Sequence, residues 1–287
     1  MAKIIAMANQ KGGVGKTTSS INLAACLAVA EKKTLLLDLD PQGNASVGVG
    51  LDKSLFEEAN IYHALIGAKP IKECIYKTEL PHFDIVPSDN HLVGAEIELV
   101  SELARESKLK AALAPIEAEY DYILIDCPPS LGLLTLNAFN ASHRFLVPMQ
   151  TEYYAMEGLA QLLNTVRLIR KSINPELSME GILLTMFDSR TSLHKQVSSE
   201  IRKHFGDKVF EAVIPRNVKL SESPSFGKPI ILYDIESKGS EAYLALAKEI
   251  ILKERTEQGS DLPPELPKVP VEILQGASEQ PIINSEL

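Results

Sequence analysis

A glycine-rich loop with two lysines, Lys11-Gly12-Gly13-Val14-Gly15-Lys16-Thr17-Thr18, constrains this 287-residue chain more than any other stretch. Residues 4–8 before it are apolar and read as a buried strand, and residues 19–28 after it are rich in helix formers. Strand, glycine loop and helix in that order make a phosphate-binding unit. Glycines let the backbone curl so that successive N–H groups point at an anion. The helix adds its positive amino end. Lys16 supplies a point charge for the outer phosphates, and the Thr17 hydroxyl suits a Mg²⁺ ligand. The general pattern wants a glycine five positions before Gly15. Gln10 stands there instead, with the additional Lys11 after it. A surface turn would account for the glycines and lysines, but not for the strand and helix on either side.

Further apolar runs at residues 34–38, 83–88, 122–126, 144–149, 181–185 and 209–214 read as strands. Helical spacing of apolar residues places helices at 92–117, 157–171 and 241–254. In the first of these, Leu99, Leu103, Leu109 and Leu113 form a stripe expected to pack in the core. Strands alternating with helices predict an α/β fold, a twisted and mainly parallel sheet with helices on both faces. Two strands end in carboxylates, at Asp38 (with Asp40 two residues on) and at Asp126. In such sheets ligands bind at the carboxyl ends of the strands. Residues 41–44 then read as a loop. Pro128 and Pro129 carry the chain out of the strand that ends at Asp126, and residues 130–132 are expected to sense the terminal phosphate. Cys127 is expected to be a small buried side chain.

Composition narrows the function classes. The net charge is −9, so no global excess of basic residues marks a nucleic-acid binder. Only residues 186–228 lean the other way, with eight Lys or Arg against five acids. Cys26, Cys74 and Cys127 form no CxxC pair, and their odd number and apolar neighbours predict reduced thiols in a cytoplasmic protein. His63, His82 and His91 lack metal-ligand spacing. No signal-peptide pattern and no run of about eighteen apolar residues occurs. The order of features divides the chain into a domain over residues 1–254 and an acidic tail over 255–287, punctuated by five prolines and expected to be disordered.

The loop at residues 11–18, taken with Asp38-Leu39-Asp40-Pro41-Gln42-Gly43-Asn44, Asp126-Cys127-Pro128-Pro129 and Ile214-Pro215-Arg216-Asn217, resembles the ParA/Soj partitioning ATPases of the deviant P-loop class, over residues 1 to about 254. The resemblance implies that residues 11–18 and Asp126 bind ATP, and that Pro215 and Asn217 lie against the base. It implies that Thr17 and Asp126 hold Mg²⁺, with Asp38 supporting its shell, and that Asp40 orients the attacking water. Lys16 acts in catalysis on the same grounds, and Lys11 reaches the nucleotide of a second copy in a homodimer. Arg190 and Arg216, with Lys219 beside them, are implied to bind DNA without sequence preference in the ATP-bound dimer. A ParB-like centromere-binding protein would stimulate hydrolysis, and the protein would be cytoplasmic and nucleoid-associated, with no membrane partner. It would serve chromosome or plasmid segregation.

Two other readings share the loop. A MinD-like ATPase cycling on a membrane needs a basic amphipathic helix at the C-terminus, and the acidic, proline-rich end argues against it. An ATP-dependent reductase or metal-cluster carrier needs paired cysteines at a dimer interface, which the three separated cysteines do not provide.

Overall fold

The computed structural model describes residues 1–257. Eight strands form one sheet: β1 (Lys3–Met7), β2 (Thr34–Asp38), β3 (Tyr76–Lys77), β4 (Phe83–Val86), β5 (Tyr122–Asp126), β6 (Arg144–Gln150), β7 (Ser178–Phe187) and β8 (Val209–Pro215). Their order across the sheet is β3-β4-β2-β5-β1-β6-β7-β8. Every pairing is parallel except that of β3 with β4. The predicted α/β architecture is therefore the observed one.

The strands are near-continuous apolar runs because both faces of the sheet are covered. Period-two alternation sends successive residues to opposite cores. Ile4, Ala6, Ile123 and Ile125 pack on one side, and Ile5, Met7, Leu124 and Leu146 on the other. Helices Lys16–Val29 and Lys238–Glu257 cover the second side, and helices Leu133–Ala141 and Ala155–Ser172 the first. From β1 the chain moves outward to β2 and β4, returns to β5, and then crosses β1 to reach β6. That reversal opens a crevice at the carboxyl ends of the central strands, where the loop after β1 lies.

Three expectations are corrected. The sheet has one strand more than the sequence indicated, because β3 is two residues long and carries no periodic signal. The continuous helix expected over 92–117 is broken into helix Leu92–Glu98, single 3-10 turns at Leu99–Ser101 and Arg105–Ser107, and helix Lys108–Leu113. Ala104 interrupts it with φ of 53°, a left-handed conformation that no right-handed helix can contain. As a result Leu99, Leu109 and Leu113 are buried while Leu103, just before the break, is 91% exposed and is no core residue. The last helix, expected over 241–254, runs Lys238–Glu257. The acidic stretch beyond Glu257 lies outside the described residues.

At the other end of the sheet Lys3 Nζ meets Glu180 Oε1 at 2.8 Å, with both side chains nearly inaccessible to water. Removing one member of such a pair strands the other charge in a poorly solvated place. Glu180→Ala is expected to cost about 3 kcal/mol of stability, read as a lower urea midpoint at unchanged slope. The nucleotide crevice, at the opposite sheet edge, should keep its ligand affinity.

Candidate functional site

The loop after β1 is fastened from three directions. Asn9 Oδ1 accepts the Lys11 N–H at 3.0 Å, and Asn9 Nδ2 donates to the Pro148 carbonyl at 2.7 Å. Thr185 Oγ1, from β7, donates to the Val14 carbonyl at 2.8 Å. Gly15 then opens the helix with φ of 83°, a turn that costs a residue with a Cβ far more than glycine. No side chain caps the amino end of this helix. Its first N–H groups have no intrahelical partner by construction and are presented at the crevice. An anion fits that end without further adjustment.

Lys16 is 7% exposed. Burial lowers its pKa, opposed by the negative field of Asp126, Cys127 and Asp40. A lysine held in this way favours a strong anionic partner, because its own charge is incompletely solvated.

Two carboxylates lie side by side at adjacent strand ends, Asp38 on β2 in register with Asp126 on β5. Both are fully buried, and desolvation raises the pKa of each. For Asp38 the neighbouring Asp126 charge adds to the rise. Their hydrogen bonds separate their roles. Asp38 Oδ2 accepts the Ser46 N–H at 2.8 Å and the Ser46 hydroxyl at 2.7 Å, and its Oδ1 accepts the Asp40 N–H at 3.3 Å. Asp38 is thus committed to holding the loop that carries Asp40. Asp126 Oδ1 accepts the Ser20 hydroxyl at 2.8 Å, but its Oδ2 is buried and makes no hydrogen bond. A buried carboxylate oxygen without a donor is costly, and a cation shell beside Thr17 would satisfy it. The residues present therefore fit a Mg²⁺ ion, a hard cation that keeps most of its shell for water and phosphate. Among the described residues no group of three or more His, Cys, Asp and Glu is arranged to hold a metal.

Asp40 closes a tight turn. Its Oδ1 accepts the Gln42 N–H at 3.0 Å, and its carbonyl accepts the Gly43 N–H at 2.9 Å. On the other flank of the helix amino end, a cleft is lined by Gly15, Thr18, Met186, Pro215, Asn217 and Tyr243. Asn217 Oδ1 caps the helix Val218–Glu222 by accepting the Lys219 N–H at 2.8 Å, which leaves its side-chain Nδ2 as a donor. Tyr243 bonds Ser19 at 3.0 Å from the inside of the cleft.

The basic residues divide by position. Arg190 and Arg216 lie just beyond the ends of β7 and β8, which pair at Phe187 and Pro215. Arg190 is engaged by Asp188 through Nη2 at 2.7 Å and Nε at 2.9 Å, which holds the Asp188 carboxyl far below the usual carboxylate range. Lys219 pairs with Glu222 at 3.2 Å. The Lys11 carbonyl accepts from Lys16 Nζ at 3.4 Å, while the Lys11 ammonium turns away to pair with Glu152, and both side chains of that pair are half exposed.

Asn9, Ser20, Ser46, Glu152 and Thr185 belong to this arrangement and carry no motif. For two of them the partner is far along the chain, 171 residues away for Thr185 and 106 for Ser20. Cys26, Cys74 and Cys127 are buried, unpaired thiols, and burial pushes the Cys26 thiol up to about 12. Buried thiols of this kind are not placed to bridge a cluster between two copies, so the reductase reading loses its chemistry.

Residues 2–179 match the family described as an AAA domain. The chromosome partitioning protein ParA of Myxococcus xanthus is 57% identical over 254 residues, covering 88% of this chain and 89% of the relative. The sporulation initiation inhibitor protein Soj of Bacillus subtilis is 56% identical over 250 residues, covering 87% of this chain and 98% of the relative. Among solved structures, cobyrinic acid a,c-diamide synthase from Mycobacterium smegmatis with bound ADP and magnesium superposes with a TM-score of 0.78 at 33% identity, covering 93% of this chain and all of that one.

Proposed function

From the premise that this chain belongs to the ParA/Soj family of chromosome-partitioning P-loop ATPases, we propose that ATP binds at residues 11–18 and joins two copies into a dimer that holds DNA until hydrolysis releases it. The observation that carries this reading is the uncapped helix end beside a buried Lys16 and the donorless Asp126 Oδ2. Together they present positive charge and one metal-ready oxygen to a polyphosphate.

The base of the nucleotide sits in the cleft beside Pro215 and Asn217, with the Asn217 amide nitrogen as donor. Thr17 and Asp126 are the residues that would hold Mg²⁺, and the ion would supply positive charge next to the phosphate oxygens. Asp38 supports the ion indirectly, through its neighbour and through the Ser46 contacts that fix the following loop. Asp40 orients the water for in-line attack, a positioning task suited to a loose transition state that needs little covalent help. Lys11 leaves Glu152 and crosses to the nucleotide of the second copy. An exposed ion pair is weak enough to give way to a triphosphate.

DNA is held by phosphate contacts from Arg190, Arg216 and Lys219 on both copies. Affinity of this kind grows steeply with the number of contacts, so pairing two copies switches binding on. Arg190 must exchange Asp188 for a phosphate, a substitution of one exposed anion for another. A ParB-like protein stimulates turnover and so ends the DNA-bound state. Among the described residues no helix is long and apolar enough to cross a membrane.

The test is DNA retention against salt with ATP present. Arg190→Ala is expected to weaken retention and make the salt slope shallower by about 2, one contact from each copy, while ATP still drives dimer formation. Retention equal to the unaltered protein at moderate salt would remove Arg190 from the DNA contacts.

A further inference from the structure

The loop after β7 carries Arg190 together with an anion of its own. Asp188 Oδ1 accepts the Arg190 backbone N–H at 2.9 Å and Nε at 2.9 Å, and Oδ2 accepts Nη2 at 2.7 Å. Nε and Nη2 form one edge of the guanidinium, an edge that can grip two oxygens of a phosphate at once. In this chain a carboxylate already fills it.

The two partners are unequal in freedom. The Arg190 side chain is 87% exposed and that of Asp188 20%. Asp188 is pinned through its backbone, where its N–H donates to His194 Nδ1 at 3.0 Å and its carbonyl accepts the Thr191 N–H at 3.1 Å. The His194 ring lies against Phe187, with centroids 6.0 Å apart. His194 belongs to the helix Ser192–Phe205, so the aspartate is fixed between that helix and the end of β7. A pinned anion has lost its freedom on folding and needs little further ordering to meet the guanidinium, whereas an incoming phosphate must be brought there. Lys219 is held differently. It meets Glu222 through one contact at 3.2 Å, with both side chains nearly half exposed, and an ammonium has no planar edge to fill.

We propose that Asp188 is an internal stand-in for a DNA phosphate, a carboxylate that occupies the binding edge of Arg190 and sets the affinity that DNA must exceed before it is held. A single copy, offering one such arginine, is then kept off DNA. Paired copies displace two carboxylates with the help of their other phosphate contacts. This deepens the reading in which Arg190 contacts DNA, and rests on it. An exposed ion pair is worth up to about 5-fold in affinity, so two distant copies exchanging it weaken DNA binding by up to about 25-fold.

Asp188→Asn tests the proposal. The asparagine oxygen can still accept the Arg190 backbone N–H, which keeps the turn, and the charge that grips the guanidinium is gone. Binding of a fluorescein-labelled mixed-sequence duplex is read by anisotropy on the full chain with ATP and Mg²⁺ over a salt series. The proteins compared are the unaltered chain, Asp188→Asn, Arg190→Ala and the double variant. Asp188→Asn is expected to bind about 10-fold more tightly at an unchanged salt slope, because no phosphate contact is added. In the Arg190→Ala background the same substitution is expected to change affinity by less than about 2-fold, because Asp188 acts through Arg190. Equal or weaker binding by Asp188→Asn would overturn the proposal. So would a gain that persists in full without Arg190, since Asp188 would then merely repel DNA. A gain matched by stronger ATP-dependent dimerisation in light scattering would overturn it as well. If Arg190→Ala alone binds as the unaltered chain does, the assignment of Arg190 to DNA fails and the proposal falls with it. If Arg190→Ala weakens binding while Asp188→Asn brings no gain, the proposal falls and the DNA reading stands.

Discussion

Lys16→Ala is expected to abolish ATP-dependent behaviour while leaving a folded protein. The fold should survive because Lys16 is buried at a cost: desolvation already lowers its pKa, so removing the ammonium relieves a penalty. Nucleotide affinity and hydrolysis should suffer, because the side chain is a buried cation beside the uncapped helix end. A preorganised cation at the transferring phosphoryl group is worth on the order of 100-fold or more in rate. Nucleotide titration of the variant, alongside its thermal melt without nucleotide, separates the two effects. Unchanged ATP affinity and turnover would mean that the phosphates lie elsewhere.

Asp40→Ala is expected to trap the ATP-bound state. Loss of the group that positions water should slow hydrolysis on the order of 100-fold without removing any phosphate contact. The dimer, and with it DNA retention, should persist after ATP is added. The hydrogen bonds of Asp40 supply a control. Its Oδ1 also accepts the Gln42 N–H, a turn that an asparagine oxygen can close equally well. Asp40→Asn keeps the turn and removes the carboxylate. A slow Asn variant assigns Asp40 to the chemistry, and one that hydrolyses ATP at the normal rate makes Asp40 a structural residue.

The sequence made the central strands legible because a parallel sheet covered on both faces demands unbroken apolar runs, as at Leu35-Leu36-Leu37 and Ile123-Leu124-Ile125. It also made the phosphate loop legible, since the glycines and lysines are contiguous. What it hid was set by tertiary context. The short β3 forms because β4 is beside it, and two residues offer no period to detect. The stripe of leucines over residues 92–117 looked like one core-facing helix until Ala104 reversed its handedness and left Leu103 in water. In the site, the hydroxyls that orient the loop and Asp126 come from Thr185 and Ser20, whose partners are far along the chain. The carboxylate pair was visible residue by residue, but not its division of labour. Only the hydrogen bonds from Ser46 reveal that Asp38 is fully engaged while Asp126 keeps an oxygen in reserve.

The switching account depends on a lysine that one copy lends to another, although in the single chain Lys11 rests against Glu152. Light scattering of the unaltered protein and of Lys11→Ala, each with ADP and then with ATP and Mg²⁺, addresses it directly. The account predicts that ATP doubles the mass of the unaltered protein alone, and that Lys11→Ala binds ATP yet stays a monomer. A Lys11→Ala protein that doubles its mass with ATP as the unaltered chain does, or an unaltered chain that stays single with ATP bound, would contradict it.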